Sequence, residues 1–142
     1  MAFFFEVIIE EINKLIEYLL AIANYSKDIH YRSKGSAFYS EHLLADRISE
    51  NIYDYIDSIK EVFFLAADKE PLSSKEYLKK ASELIPEIKD DKQSFKSLSV
   101  LIVTTLQHIE ELKDLTKGEE NLIGNIAENL QTSLGLINRQ IK

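Results

Sequence analysis

The sequence predicts an all-α protein: four long helices in a bundle, with a long crossover between the second and third that carries a short extra helix. Three observations lead there. Apolar residues recur three and four apart through most of the chain, the signature of amphipathic helices. Only four Gly and two Pro interrupt 142 residues, too few for a sandwich with its many turns. The two central apolar segments are also separated by too many residues for a simple hairpin. A chain of this length forms one core, so residues 1–142 are expected to make a single domain.

The first helix is expected over about residues 4–33, on the stripe Phe5, Ile8, Ile9, Ile12, Leu15, Ile16, Leu19, Leu20 and Ile22. Lys34-Gly35 ends it, with Gly35 suited to a left-handed cap and Ser36 to capping the next helix. A second helix is expected over 37–67, with Phe38, Leu44, Ile48, Ile52, Tyr55, Ile56, Ile59 and Phe63 on one stripe. Pro71 closes that region, and a short helix over 74–83, with Ser74 as a plausible cap, precedes a polar stretch from Pro86 to Asp91. A third helix covers about 94–117. Its run Val100-Leu101-Ile102-Val103-Thr104-Thr105 has strand propensity, but no other segment offers a partner strand. Gly118 closes it, and 119–141 forms the fourth, carrying Leu122, Ile126, Leu130, Leu134, Ile137 and Ile141, with Gly124 and Gly135 inside at a cost of about 1 kcal/mol each relative to Ala. One long crossover in a four-helix bundle is the ferritin-like arrangement.

Charge and composition narrow the function. A net charge of −7 argues against a broad basic surface for nucleic acid, which needs clustered Lys and Arg, and suits cations better. The absence of Cys removes disulfides, thiolate zinc sites and cysteine nucleophiles, and fits a reducing interior. The start Met1-Ala2-Phe3-Phe4-Phe5 is apolar but lacks a basic leader, and Glu6, Glu10 and Glu11 interrupt it. No run reaches the roughly 18 uncharged residues of a membrane span, so a cytoplasmic location is expected.

The second helix carries the chemistry. On a helical wheel starting at His42, Asp46 falls near 40°, Asp57 near 60° and Glu61 near 100°, whereas the apolar stripe occupies roughly 200° to 320°. Most single carboxylates on an outer face are merely solvated, but four potential metal ligands on one arc form a group. The His42/Asp46 pair and the Asp57/Glu61 pair lie about 22 Å apart along a helix rising 1.5 Å per residue, too far to share an ion within one chain. A two-fold axis near Asn51 and Ile52 would bring Asp57 and Glu61 of one copy opposite His42 and Asp46 of another, twice per dimer. Tyr39, Leu43 and Tyr53, on or beside the same arc, suit such an interface.

The stretch His30-Tyr31-Arg32-Ser33-Lys34-Gly35-Ser36-Ala37-Phe38, with His42, Asp46, Asp57 and Glu61, resembles the ferroxidase signature of the Dps mini-ferritins, H-x4-G-x2-F-x3-H-x3-D-x10-D-x3-E, at every spacing. The resemblance implies an iron-binding ferroxidase whose catalytic metal site takes His30, His42 and Asp46 from one subunit and Asp57 and Glu61 from its two-fold mate. It implies that Glu61 lies between two irons, that Asp57 and His30 hold the tighter one, and that His42 and Asp46 hold the weaker. It also implies Fe(II) oxidation with hydrogen peroxide or oxygen, protection from oxidative damage, and ferric mineral stored in a hollow homododecamer. Carboxylate and imidazole ligands suit iron and also tolerate Mn or Zn. The family's acidic pores place Glu119, Glu120 and Asp114 as candidate lining residues.

The chain departs from the pattern at Tyr31, where the family usually has Trp, and at Val62, where Arg is common. Asn138-Arg139-Gln140-Ile141-Lys142 offers two basic residues where many relatives carry a basic tail, so DNA binding is expected to be weak or absent. Two other function classes compete with the ferroxidase: a Dps-like shell or interaction protein that binds metal with little turnover, and nucleoid protection by DNA binding. His108 is expected to be partly exposed and outside the site.

Overall fold

The computed structural model describes residues 2–142, with side chains from residue 8 onward. The expectations that rest on Met1 and on the side chains of Phe3, Phe4, Phe5 and Glu6 fall outside the described residues. The chain is helical, in the order α1 (Ala2–Arg32), α2 (Phe38–Ser49), α3 (Ile52–Lys60), a π-helical turn (Glu61–Leu65), α4 (Ser74–Leu84), α5 (Asp91–Glu110) and α6 (Lys117–Gln140). The segment with strand propensity lies wholly within α5.

Helix α1 is the central element, touching α2, α3, α4 and α5. From Leu15 to Ala23 every residue is buried, the pattern of a helix covered on all sides. Its Leu and Ile side chains there are almost fully removed from water, each contributing about 1.5–3 kcal/mol. Helix α6 closes the bundle against α5, α2 and α3, burying Ile123, Ile126, Leu130 and Ile137 at the spacing the sequence predicts.

The expected second helix is interrupted. Its chain turns extended at Glu50 (ψ 139°) and left-handed at Asn51 (φ 68°) before α3 begins. Asn is among the few residues that enter the left-handed region readily, which allows the break without glycine. Ile48, Ile52, Ile56 and Ile59 stay buried on both sides of it, so the apolar stripe survives the interruption. In the π-helical turn the backbone N–H of Ala66 donates to the carbonyl of Glu61 at 3.1 Å. The wider turn brings consecutive residues closer in phase, and both Phe63 and Phe64 are buried.

Side chains tie the crossover to α1. The Tyr77 hydroxyl on α4 donates to Asn13 Oδ1 (2.6 Å) and accepts from the Leu72 N–H (3.1 Å), and the buried Tyr25 hydroxyl donates to the carbonyl of Glu87 (3.0 Å). Several expected boundaries move. Ser73, not Ser74, caps α4, accepting from the Glu76 N–H. Ser36 does not cap α2, whose N-cap is Ala37 without a side-chain bond. Helix α5 ends at Glu110 rather than near Lys117, and Asp114 turns left-handed (φ 59°). The stop belongs to the next helix, because Thr116 and Glu119 form a reciprocal capping box that starts α6 and places Gly118 inside it. Among the described residues no helix is long and apolar enough to cross a membrane.

A Cβ added at Gly124 meets no atom within 4 Å, so Gly124→Ala should raise the unfolding free energy by about 1 kcal/mol in urea titrations. Thr116→Ala, which removes the cap, should lower it by about 1 kcal/mol.

Candidate metal centre

The turn between α1 and α2 builds the first half of the site. Gly35 (φ 92°) reverses the chain so that the end of α1 lies against the start of α2. Across that reversal, His30 Nδ1 lies 2.8 Å from the carbonyl oxygen of His42, and His42 Nδ1 lies 2.6 Å from the carbonyl oxygen of His30. Carbonyls only accept, so each Nδ1 carries the proton and donates. The tautomer that remains has a lone pair on each Nε2, and among the described residues neither Nε2 has a hydrogen-bond partner. This is the arrangement in which imidazole ligates a metal, one nitrogen fixed by a carbonyl and the other available.

The two rings stack at 3.6 Å between centroids, only 17° from parallel. Phe38, one turn before His42, stacks on its other side at 5.0 Å, and Tyr31 meets the edge of His30 at 4.8 Å. The four rings are held as a row, which gives Gly35 and Phe38 physical roles beside the two histidines. Tyr31 remains 75% exposed, so its hydroxyl-bearing ring flanks His30 in contact with solvent.

Asp46 lies one helical turn beyond His42. Lys27 Nζ on α1 donates to its Oδ1 at 2.6 Å, a partner that sequence reasoning missed. That hydrogen bond and the ammonium charge hold the Asp46 carboxyl below the usual aspartate range, with His30 and His42 adding to the effect, while the same bond pushes Lys27 up. Both side chains are about half exposed, so the pair adds little to stability, and a cation arriving at Asp46 competes with an ammonium on Oδ1.

Asp57 and Glu61, the other two candidate ligands, are both exposed, one near the end of α3 and the other opening the π-helical turn. They do not join the histidines: among the described residues no three His, Asp or Glu side chains converge as a metal site. Exposed Tyr39, Leu43 and Tyr53 accompany the two halves.

Two further titratable groups are buried outside the candidate ligand set, and the second differs from the sequence expectation. Glu41, beside His42, is buried at 8% exposure and hydrogen-bonds Asp91, whose other role is to accept from the Lys34 N–H at 3.0 Å. Burial pushes the Glu41 carboxyl up, and the Asp91 charge and the bond between the carboxyls add to this. His108 is buried rather than partly exposed. Its Nε2 donates to the Glu11 carbonyl at 2.7 Å, and its Nδ1 lies 3.4 Å from the Glu11 carboxylate, which makes it a tie between α5 and α1. Of the candidate pore residues, Glu119 has its carboxylate engaged by the Thr116 N–H in the capping box (2.8 Å), whereas Glu120 is exposed in the first turn of α6.

The Lys27–Asp46 bond has a pH consequence. A carboxyl whose pKa is depressed in the fold contributes stability above its unfolded value of about 3.8 and loses it as pH falls through the lowered value. Carboxyl NMR titration of Lys27→Met should therefore move the Asp46 midpoint up toward 3.8. An unmoved midpoint would assign the depression to the imidazoles.

No family model matches the sequence, and no curated protein sequence matches it. Solved structures do. A C-terminal deletion mutant of Mycobacterium smegmatis Dps superposes with a TM-score of 0.81 at 16% identity, over 97% of this chain and 99% of that one. The Dps protein of Vibrio cholerae O1, described as a member of a broad superfamily of ferritin-like diiron-carboxylate proteins, gives 0.79 at 17% identity, over 97% and 91%. An archaeal Dps homologue from Halobacterium salinarum gives 0.66 at 16%, over 96% and 76%. At these identities the likeness is one of architecture, and the chain has the ferritin-like four-helix-bundle fold of the Dps proteins.

Proposed function

We propose that the protein is an iron-binding mini-ferritin that oxidises Fe(II) at a site completed by two copies of the chain. The observation that carries this reading is the reciprocal bonding of His30 and His42, which leaves two stacked imidazoles with lone pairs on Nε2 next to Asp46. Half a metal site is prepared on an outer face, and the matching carboxylates, Asp57 and Glu61, are exposed in the same chain without reaching it. An antiparallel second copy brings them there, and Tyr39, Leu43 and Tyr53 supply apolar contact for it.

In this arrangement His30, with Asp57 of the other copy, holds the tighter ferrous ion. His42 and Asp46 hold the weaker, and Glu61 of the other copy lies between them. Lys27 occupies Asp46 until the second ion arrives, which favours ordered loading. Two ferrous ions give one electron each to hydrogen peroxide. Its O–O bond breaks, and the two oxygens leave as water after taking two protons. Oxygen is the alternative oxidant, and Mn or Zn can occupy the same ligands. Twelve copies forming a hollow cytoplasmic shell would then collect the ferric product and limit oxidative damage. Binding of DNA is weak or absent in this reading, given the net charge of −7.

Anaerobic Fe(II) addition followed by peroxide, with ferric absorbance as the readout, tests the proposal. The wild type should show a fast phase consuming two Fe(II) per peroxide, and His30→Ala with Glu61→Gln should slow it by at least about tenfold. An unchanged fast phase in the double variant would place the chemistry elsewhere. Iron uptake without a fast phase in the wild type would leave a shell protein that binds metal but does not turn it over.

A further inference from the structure

The break between α2 and α3 lies at a particular place. His42 and Asp46 precede Asn51 by nine and five residues, and Asp57 and Glu61 follow it by six and ten. Asn51 is therefore at the centre of the ligand set, where a two-fold axis must pass if one copy's first half is to face the other copy's second. Its side chain is exposed and makes no hydrogen bond among the described residues, not even to cap α3. What the position requires of its residue is the backbone, left-handed at φ 68° after an extended Glu50.

Geometry gives that requirement a purpose. Two unbroken helices packed across each other at the usual angles of about 20° to 50° diverge away from the crossing point. Ten residues out, about 15 Å along each axis, that divergence offsets the two axes sideways by roughly 5 to 13 Å. Metal–ligand bonds of about 2 Å leave no room for such a spread. Where each arm points after the break decides whether the ligand halves close.

We propose that Asn51 is a positioning residue for the metal centre: its left-handed backbone sets the angle between α2 and α3, and so the closure of His42 and Asp46 on Asp57 and Glu61 of the antiparallel copy. The inference rests on the two-copy reading of the site. Asn51 touches no metal and supplies no ligand. It acts through the direction of the two helical arms, and the residue types able to serve there are those that accept positive φ.

The test uses Co(II) as probe, under anaerobic conditions, on full-length Asn51→Gly and Asn51→Ala. Glycine accepts positive φ freely, whereas alanine resists it and favours a continuous helix. Visible absorption gives the Co(II) stoichiometry and affinity without turnover, far-UV circular dichroism reports folding, and native mass reports assembly. Asn51→Gly should match the wild type in all three. Asn51→Ala should stay folded yet weaken Co(II) binding by at least about tenfold, a loss typical of misoriented ligands. Should it not fold, Asn51→Ser, which accepts positive φ less readily than Asn, is judged by the same criterion. Wild-type Co(II) binding by a folded alanine or serine variant overturns the proposal, as does loss of binding by a folded glycine variant. His42→Ala with Glu61→Ala separates the two levels: if Co(II) still binds that protein as it binds the wild type, the two-copy site itself is wrong, and the role of Asn51 falls with it.

Discussion

Two imidazoles, each donating Nδ1–H to the other residue's backbone carbonyl, hold the end of α1 against the start of α2. The rest of the outer face depends on that mutual bond. It fixes the tautomer of both histidines, and hence which nitrogens can meet a metal. The Gly35 turn, the Phe38 stack and the Tyr31 edge contact all serve to keep the two rings in register. Loss of either ring would disturb more than one ligand, because each also bonds the backbone that carries the other.

The electrostatics of this face are unsaturated rather than balanced. Asp46 has borrowed an ammonium from Lys27, and Asp57 and Glu61 stand in solvent. The buried Glu41 carboxyl, next to His42 in the chain, is pushed up by burial and by the neighbouring Asp91 carboxyl. Acidic ligands without cations are costly to bring together, so a metal shared between two such faces would add to the apolar contact of Tyr39, Leu43 and Tyr53. On this account assembly and metal binding are linked, each favouring the other.

Much of the architecture was legible because apolar spacing survives local irregularity. Ile48, Ile52, Ile56 and Ile59 keep one stripe across a break that spacing alone could not disclose, since only Asn51, a residue tolerant of positive φ, hints at it. The early end of α5 did have a visible signal, the Thr116-x-x-Glu119 capping pattern, outweighed by apolar Leu112 and Leu115 continuing the helical spacing. The grouping of His30, His42 and Asp46 was legible because they lie close in sequence. Lys27 escaped notice because its partner is on another helix, and His108 because Glu11 is 97 positions away. Contacts between distant segments are set by packing, which periodicity does not encode.

The claim on which everything turns is that two copies contribute different halves of each metal pocket. Mixing two inactive proteins tests it most directly: His42→Ala with Asp46→Ala in one, and Asp57→Ala with Glu61→Ala in the other, dissociated together and reassembled. In a mixed pair one pocket receives both damaged halves and the other both intact ones, so random reassembly should recover about a quarter of the wild-type Co(II) sites. No recovery from a properly reassembled mixture would mean that the ligands act within a single chain, and would contradict the account.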